Sequence, residues 1–143
     1  MAIESMRKIE YVNSYFPTLS IEANDVGENK KVVKCDFEVK AQVRKDPEEN
    51  SYIVLVSVKE RADKTPYKFE VLAVGTFEVV YEGEGPEDEL EAPEVAFNGA
   101  QILYGQIREQ IAMMTSRSVY GSLFIPTYYF STKDFIPEQE IEE

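Results

Sequence analysis

The stretch YKFEVLAVGTFEVV, Tyr67 to Val80, decides how the rest of this 143-residue chain is read. Its positions Tyr67, Phe69, Val71, Ala73, Phe77 and Val79 are apolar and stay in phase across Gly75. A period of two is the mark of a strand with one buried face and does not fit a helix. A glycine inside such a pattern marks a bend or a place where another backbone comes close.

Two further stretches upstream share the pattern. In VVKCDFEVKAQVRK, Val32 to Lys45, the residues Val33, Cys35, Phe37, Val39, Ala41 and Val43 face one way, and Lys34, Asp36, Glu38, Lys40 and Gln42 the other. In SYIVLVSVKER, Ser51 to Arg61, Tyr52, Val54, Val56 and Val58 share one face, with Ile53, Leu55, Ser57 and Lys59 opposite. KDPEEN and ADKTP separate the three runs and carry turn residues, so the runs form an antiparallel meander. Further upstream, IEYVNSYFPTLSIEA alternates at Leu19, Ile21 and Ala23 after Pro17. Proline cannot donate to a ladder, which assigns this stretch to a sheet edge.

Downstream, residues 81–97 are expected to form an acidic crossover loop, and Asn98 to cap the start of a helix. Ala100, Leu103, Tyr104, Ile107, Ile111 and Met114 then fall at helical spacing on one stripe, with Gln101, Gly105, Arg108 and Glu109 opposite. The stripe suits either a core face or a subunit interface. The predicted architecture is α+β: a four-stranded antiparallel sheet with one long helix packed on it, in a single domain over residues 1–143.

The net charge of −12 is concentrated. Glu82, Glu84, Glu87, Asp88, Glu89, Glu91 and Glu94 crowd the crossover, and Asp134, Glu138, Glu140, Glu142 and Glu143 make residues 131–143 an acidic tail. Outside these clusters acids and bases balance. Such a surface disfavours nucleic acid, which needs bases to displace counterions. It suits basic protein segments, or simply keeps a sticky protein soluble. No apolar run approaches a membrane span, MAIESMRKIEY lacks a signal-peptide core, and the lone Cys35 fits a reducing compartment, so a cytoplasmic protein without membrane insertion is expected.

The chain contains no histidine and one cysteine, which removes the commonest general base and any thiolate zinc site. GEGPEDE has the glycines of a phosphate loop but no lysine, and its acids repel phosphate. No catalytic residue, metal or cofactor is assigned, and a binding protein is the leading class.

From Gln101 to Phe130 the sequence resembles the SecB family of export chaperones. The residues that carry the likeness are Ile102, Leu103 and Tyr104, then Arg108 and Glu109, Ile111 and Met114, Ser116 and Arg117, Tyr120, Leu123, Ile125 and Phe130. SIEAN and FEVLAVGTFEV look like the family's first and fourth strands. The sequence departs from the family pattern at Gly105, Gln106, Ser118 and Gly121, and Pro137 interrupts the place of the long final helix. The resemblance implies a divergent SecB-like protein: an ATP-independent holdase for unfolded polypeptides or preproteins, assembled as a dimer of dimers. It also implies contact acids for a SecA-like translocation motor, at Glu22 and Glu70, or alternatively one dedicated antitoxin or other protein partner.

The aromatic run after the helix finishes the core with one face and offers the other to clients, because non-directional apolar burial accepts many sequences. Tyr120, Phe124 and Tyr128, with Leu90, Val95 and Phe97, are the expected client groove. Leu103, Tyr104, Ile107, Ile111 and Met114 are the core or oligomer stripe, and Arg108 and Glu109 are read as a structural ion pair. A small ligand carrier or thioesterase-like enzyme with a closed apolar pocket is the remaining alternative.

Overall fold

The computed structural model describes residues 6–23, 37–45, 51–61, 67–82 and 92–135. They comprise strands β1 (Met6–Ala23), β2 (Phe37–Lys45), β3 (Ser51–Glu60) and β4 (Tyr67–Glu82), helix α1 (Ala92–Thr115), and a short 3-10 turn, Thr132–Asp134. The strands form one antiparallel sheet in the order β1-β4-β3-β2, so the meander is intact and β1 lies at an edge. This is the α+β layer expected from the alternation. Val33 and Cys35 lie outside the described residues.

The inner face carries Phe37, Val39, Ala41 and Val43 from β2, Tyr52, Val54, Val56 and Val58 from β3, and Tyr67, Phe69, Val71, Ala73 and Phe77 from β4. Helix α1 lays Val95, Ala100, Leu103, Tyr104, Ile107 and Ile111 on that face. Each large side chain buried this way contributes about 1.5–3 kcal/mol. Gly75 stays in phase because it makes room: a Cβ there would lie 2.8 Å from Leu103 Cδ2 and 2.9 Å from Phe77 Cε2. Across the interface, a Cβ at Gly99 would lie 2.9 Å from Val54 Cγ2 and 3.1 Å from Phe77 Cε2. The Phe77 ring thus occupies space left by a glycine on each layer.

Several expectations are corrected. Strand β1, expected over the stretch from Ile9 to Ala23, extends to Met6, and its register shifts between Tyr11 and Asn13 and again between Tyr15 and Thr18. Each shift interrupts the ladder and breaks the period of two. Pro17 falls inside the second, where no ladder donor is required. Helix α1 begins at Ala92 rather than at Asn98, so residues 92–97 of the expected crossover are helical. Pro93 stands in the first turn, where a missing N–H costs nothing and φ is preset. Of the crossover, residues 83–91 are outside the described set.

The outer face is also less polar than the alternation implies. Leu55, Leu72 and Val74 form a second buried cluster with Ile53 against it. Gln42, assigned to the solvent side, is buried and accepts a hydrogen bond from Arg44 Nη2 at 3.1 Å.

Replacing Gly75 by Ala should cost about 1–3 kcal/mol, since the added methyl overlaps two buried side chains. Gly105→Ala, on the open side of α1 with nothing within 4 Å of the added carbon, should instead stabilise by about 0.5–1 kcal/mol. Urea midpoints of the two variants measure both signs.

Candidate functional site

After Thr115 the helix unwinds through two turns, closed by Ser118 N–H to Thr115 O at 3.0 Å and Gly121 N–H to Ser118 O at 3.0 Å. Gly121 has φ +76°, a left-handed conformation that costs glycine little, and the chain reverses there. Residues 121–131 then run irregularly back along the helix, outside the sheet ladder. We call residues 121–135 the strap. Without a strand partner, its buried backbone groups need other donors and acceptors.

Side chains supply them. The Leu123 N–H donates to Thr115 Oγ1 at 2.7 Å, and the Thr115 hydroxyl in turn donates to Ile111 O at 2.7 Å. Arg108 Nε donates to Ile125 O at 2.9 Å, and the Tyr104 hydroxyl to Pro126 O at 2.6 Å. The Phe130 N–H donates to Gln101 Oε1 at 3.2 Å. From the sheet, the Tyr67 hydroxyl donates to Gly121 O at 2.5 Å. The helix positions descend from 115 to 101 while the strap ascends from 123 to 130, so the two run antiparallel.

Leu123 and Ile125 turn into the core, while Phe124 between them is 75% exposed and Tyr129 is 84% exposed. Beside Phe124 an open cleft of about 360 Å³ is lined by Gly105, Arg108, Glu109, Ala112, Met113 and Ile125 as well. On the other flank of α1, a second cleft of about 310 Å³ lies against β1 residues Tyr11, Ser14 and Phe16. Met113, 64% exposed, and Glu109 line both clefts and form the ridge between them. Ser14 Oγ donates to Gln106 Oε1 at 2.7 Å and ties β1 to this ridge.

At the far end of the strap the rings form a chain. Tyr104 meets Tyr128 with centroids 5.8 Å apart, Tyr128 meets Phe130 at 5.0 Å, Phe130 meets Phe135 at 6.2 Å, and Phe135 meets Phe97 at 5.4 Å. Phe135 also forms a lone parallel bridge with Ala41 of β2. Residues 131–135, assigned to an acidic tail, are thus packed on the body; residues 136–143 lie outside the described set. Asp134 is only 8% exposed and accepts from the Tyr128 hydroxyl and from the Ser131 N–H at 2.8 Å. Burial, then the hydrogen bond to Asp134, then its negative charge push the Tyr128 hydroxyl up to about 12, against an opposing pull from Arg61.

Among the expected groove residues, Phe124 is open to solvent, and Tyr120, Tyr128 and Phe97 are half-buried. The Tyr120 ring stands edge-on to Tyr67 at 5.7 Å. Val95 is not a groove residue: it is 0% exposed, because α1 already covers it. Leu90 lies outside the described residues. Leu103, Tyr104, Ile107 and Ile111 are buried within the single chain, but Met114 is 44% exposed. The buried stripe continues to Thr115, four residues after Ile111, and Met114 is rotated about 100° away from it. Arg108 grips the strap rather than pairing with Glu109, since adjacent helix residues point apart. Glu22 and Glu70 are exposed on the sheet, and stand opposite Lys68 and Lys59 in the register. Sequence reasoning missed Met113, Thr115 and Asp134. Only the Met113–Met114 doublet beside the stripe hinted at the first.

Among the described residues no group of acids or cysteine has the arrangement of a metal site, and no helix is long and apolar enough to cross a membrane.

Thr115→Val keeps the shape and leaves the Leu123 N–H unpaired, so it should cost about 1–3 kcal/mol by urea denaturation. Tyr128 holds its proton more tightly folded, at about 12, than its ordinary value of 10.0. Its contribution to stability is therefore whole below pH 10 and is lost as pH rises toward about 12. Urea midpoints across that alkaline window should fall more steeply for the unmodified chain than for Tyr128→Phe.

Neither a protein-family model nor a curated protein matches the sequence. Among solved structures, it is similar to the SecB-like chaperone Rv1957 of Mycobacterium tuberculosis, in complex with a ChAD peptide from the HigA1 antitoxin, Rv1956. The TM-score is 0.63 and the sequence identity 18%, over 82% of this chain and 89% of that one. A protein of unknown function from Streptococcus agalactiae aligns with TM-score 0.45 and 13% identity, over 85% of this chain and 98% of that one. At 18% identity the likeness to Rv1957 concerns architecture: the chain has a SecB-like fold, divergent in sequence.

Proposed function

We propose that this protein is an ATP-independent holdase that captures unfolded polypeptides on the strap and the helix ridge. The observation that carries the reading is the apolar surface left open at the larger cleft, where Phe124 and Met113 are both exposed after the core is complete, with Tyr129 exposed further along the strap. A soluble monomer seldom leaves large apolar side chains grouped in this way without a partner for them. Methionine adapts its shape and aromatic rings give large contact area at low entropy cost, which suits varied sequences. Each such anchor contributes roughly 1.5–3 kcal/mol on full burial, so a few of them give reversible capture. The half-buried rings Phe97, Tyr120 and Tyr128 extend the surface at both ends of the strap. The acid-rich segments keep the sticky surface soluble.

The same fold in a chaperone that holds an antitoxin peptide supports a second reading, a chaperone dedicated to one protein of that kind. The two differ in selectivity: a dedicated chaperone saturates with one sequence and ignores unrelated unfolded chains. Neither requires a cofactor or a catalytic group, and the action belongs in the cytoplasm. Assembly as a dimer of dimers is supported by the surface left on the edge strand, where Tyr11, Val12 and Tyr15 are exposed, and by the exposed Ile102 of α1. A SecA-like motor is a less favoured partner. Glu22 and Glu70 would have to meet it with lysines as their cross-strand neighbours.

The deciding measurement is light scattering of an unrelated denatured protein diluted into buffer without nucleotide, with native sizing of the same sample. Suppression near stoichiometric amounts is expected from the holdase. Absence of suppression, together with tight binding of one antitoxin segment, would favour the dedicated chaperone. Phe124→Ser combined with Met113→Ser should weaken suppression several-fold at an unchanged thermal midpoint, because both side chains are outside the core.

A further inference from the structure

We propose that Asp134 is a positioning residue for the client surface: it fastens the end of the strap through Tyr128 and Ser131 and so holds the aromatic chain in its binding shape. The inference rests on the holdase reading of the same surface.

Asp134 sits in a part of the sequence whose other acids have every reason to stay solvated. It is nevertheless 8% exposed, and a carboxylate is buried at a cost unless donors surround it. Its donors all come from the strap. One oxygen takes the Tyr128 hydroxyl; the other takes the Ser131 N–H at 2.8 Å and the Ser131 hydroxyl at 3.3 Å. The Asp134 N–H donates back to Ser131 O at 3.0 Å, closing the turn on itself. Hydrogen bonds to a charged acceptor are about twice as strong as neutral ones, so this small knot is the firmest polar contact at the strap's end.

What the knot holds is the ring chain. The Tyr128 ring lies between Tyr104 and Phe130, tilted to the first and edge-on to the second, and Phe130 continues to Phe135. Only Tyr104 of these is buried; the others keep part of their surface open. Without the carboxylate, Tyr128 loses its hydroxyl partner and Ser131 loses its turn, and the rings beyond Tyr104 lose their common orientation. The strap stays attached through Arg108, Thr115 and Tyr104. A client then has to order the rings itself, and apparent affinity falls by the fraction of time they are correctly placed. Asp134 itself touches no client.

The test measures binding of a labelled, reduced and carboxymethylated α-lactalbumin, a permanently unfolded chain, at neutral pH. Tyrosinate absorbance is followed during alkaline titration of the same samples. Asp134→Ala should bind roughly tenfold more weakly, with far-UV circular dichroism unchanged, and one tyrosine should ionise at lower pH than in the unmodified protein. Asp134→Asn, which keeps an acceptor for Tyr128, should recover part of the affinity. Equal binding by Asp134→Ala and the unmodified chain would overturn the proposal, as would an unchanged tyrosine titration. Should Asp134→Ala not fold, Tyr128→Phe keeps the ring and removes the donor; undiminished binding by that variant overturns the proposal equally. An unmodified chain that binds no unfolded probe refutes the holdase reading itself, and that result comes from a different sample.

Discussion

A stretch of irregular backbone laid against a helix has no ladder to satisfy it, and this constraint shapes the carboxyl-terminal third of the protein. Its N–H and C=O groups are expensive to bury unpaired. The helix answers with Gln101, Tyr104, Arg108 and Thr115, each reaching a main-chain atom of the strap. Because those grips serve the backbone, the side chains of Ser122, Phe124, Pro126, Thr127 and Tyr129 are free to face solvent. The exposed Phe124 between buried Leu123 and Ile125 follows from that arrangement.

The sheet has a different role, as a rigid platform. Its inner face is packed against α1 closely enough that glycines at 75 and 99 make room around Phe77. Tight packing of this kind fixes the helix in position and hence the ridge that Glu109 and Met113 form between two clefts. The proposed client surface is therefore built from one rigid element and one tethered one.

Much of the fold was legible because its signals are local and periodic. Phe69, Val71, Ala73 and Phe77 announced β4 and its buried face, and the stripe from Ala100 to Ile111 announced the helix. Where the period breaks, legibility ends. The register shifts around Val12 and Pro17 leave the first half of β1 without alternation, and Pro93 read as a loop residue although a first helical turn accepts it. The site was harder. Val95 and Phe124 are both apolar, and only the packing of the helix and the strap makes one core and the other surface. Asp134 could not be told from the acids around it, since its burial comes from contacts within a turn that no spacing rule encodes. Thr115 was hidden likewise: its hydroxyl matters because the chain folds back over it eight residues later.

The tethering of the strap by its main chain has an evolutionary reading. Residues at the outward positions, Ser122, Phe124, Thr127 and Tyr129, carry none of the grips that fix their own segment. Drift there leaves the scaffold untouched and, on the proposed holdase role, alters only which guests adhere, so new specificities can arise in a lineage without any redesign of the frame that presents them.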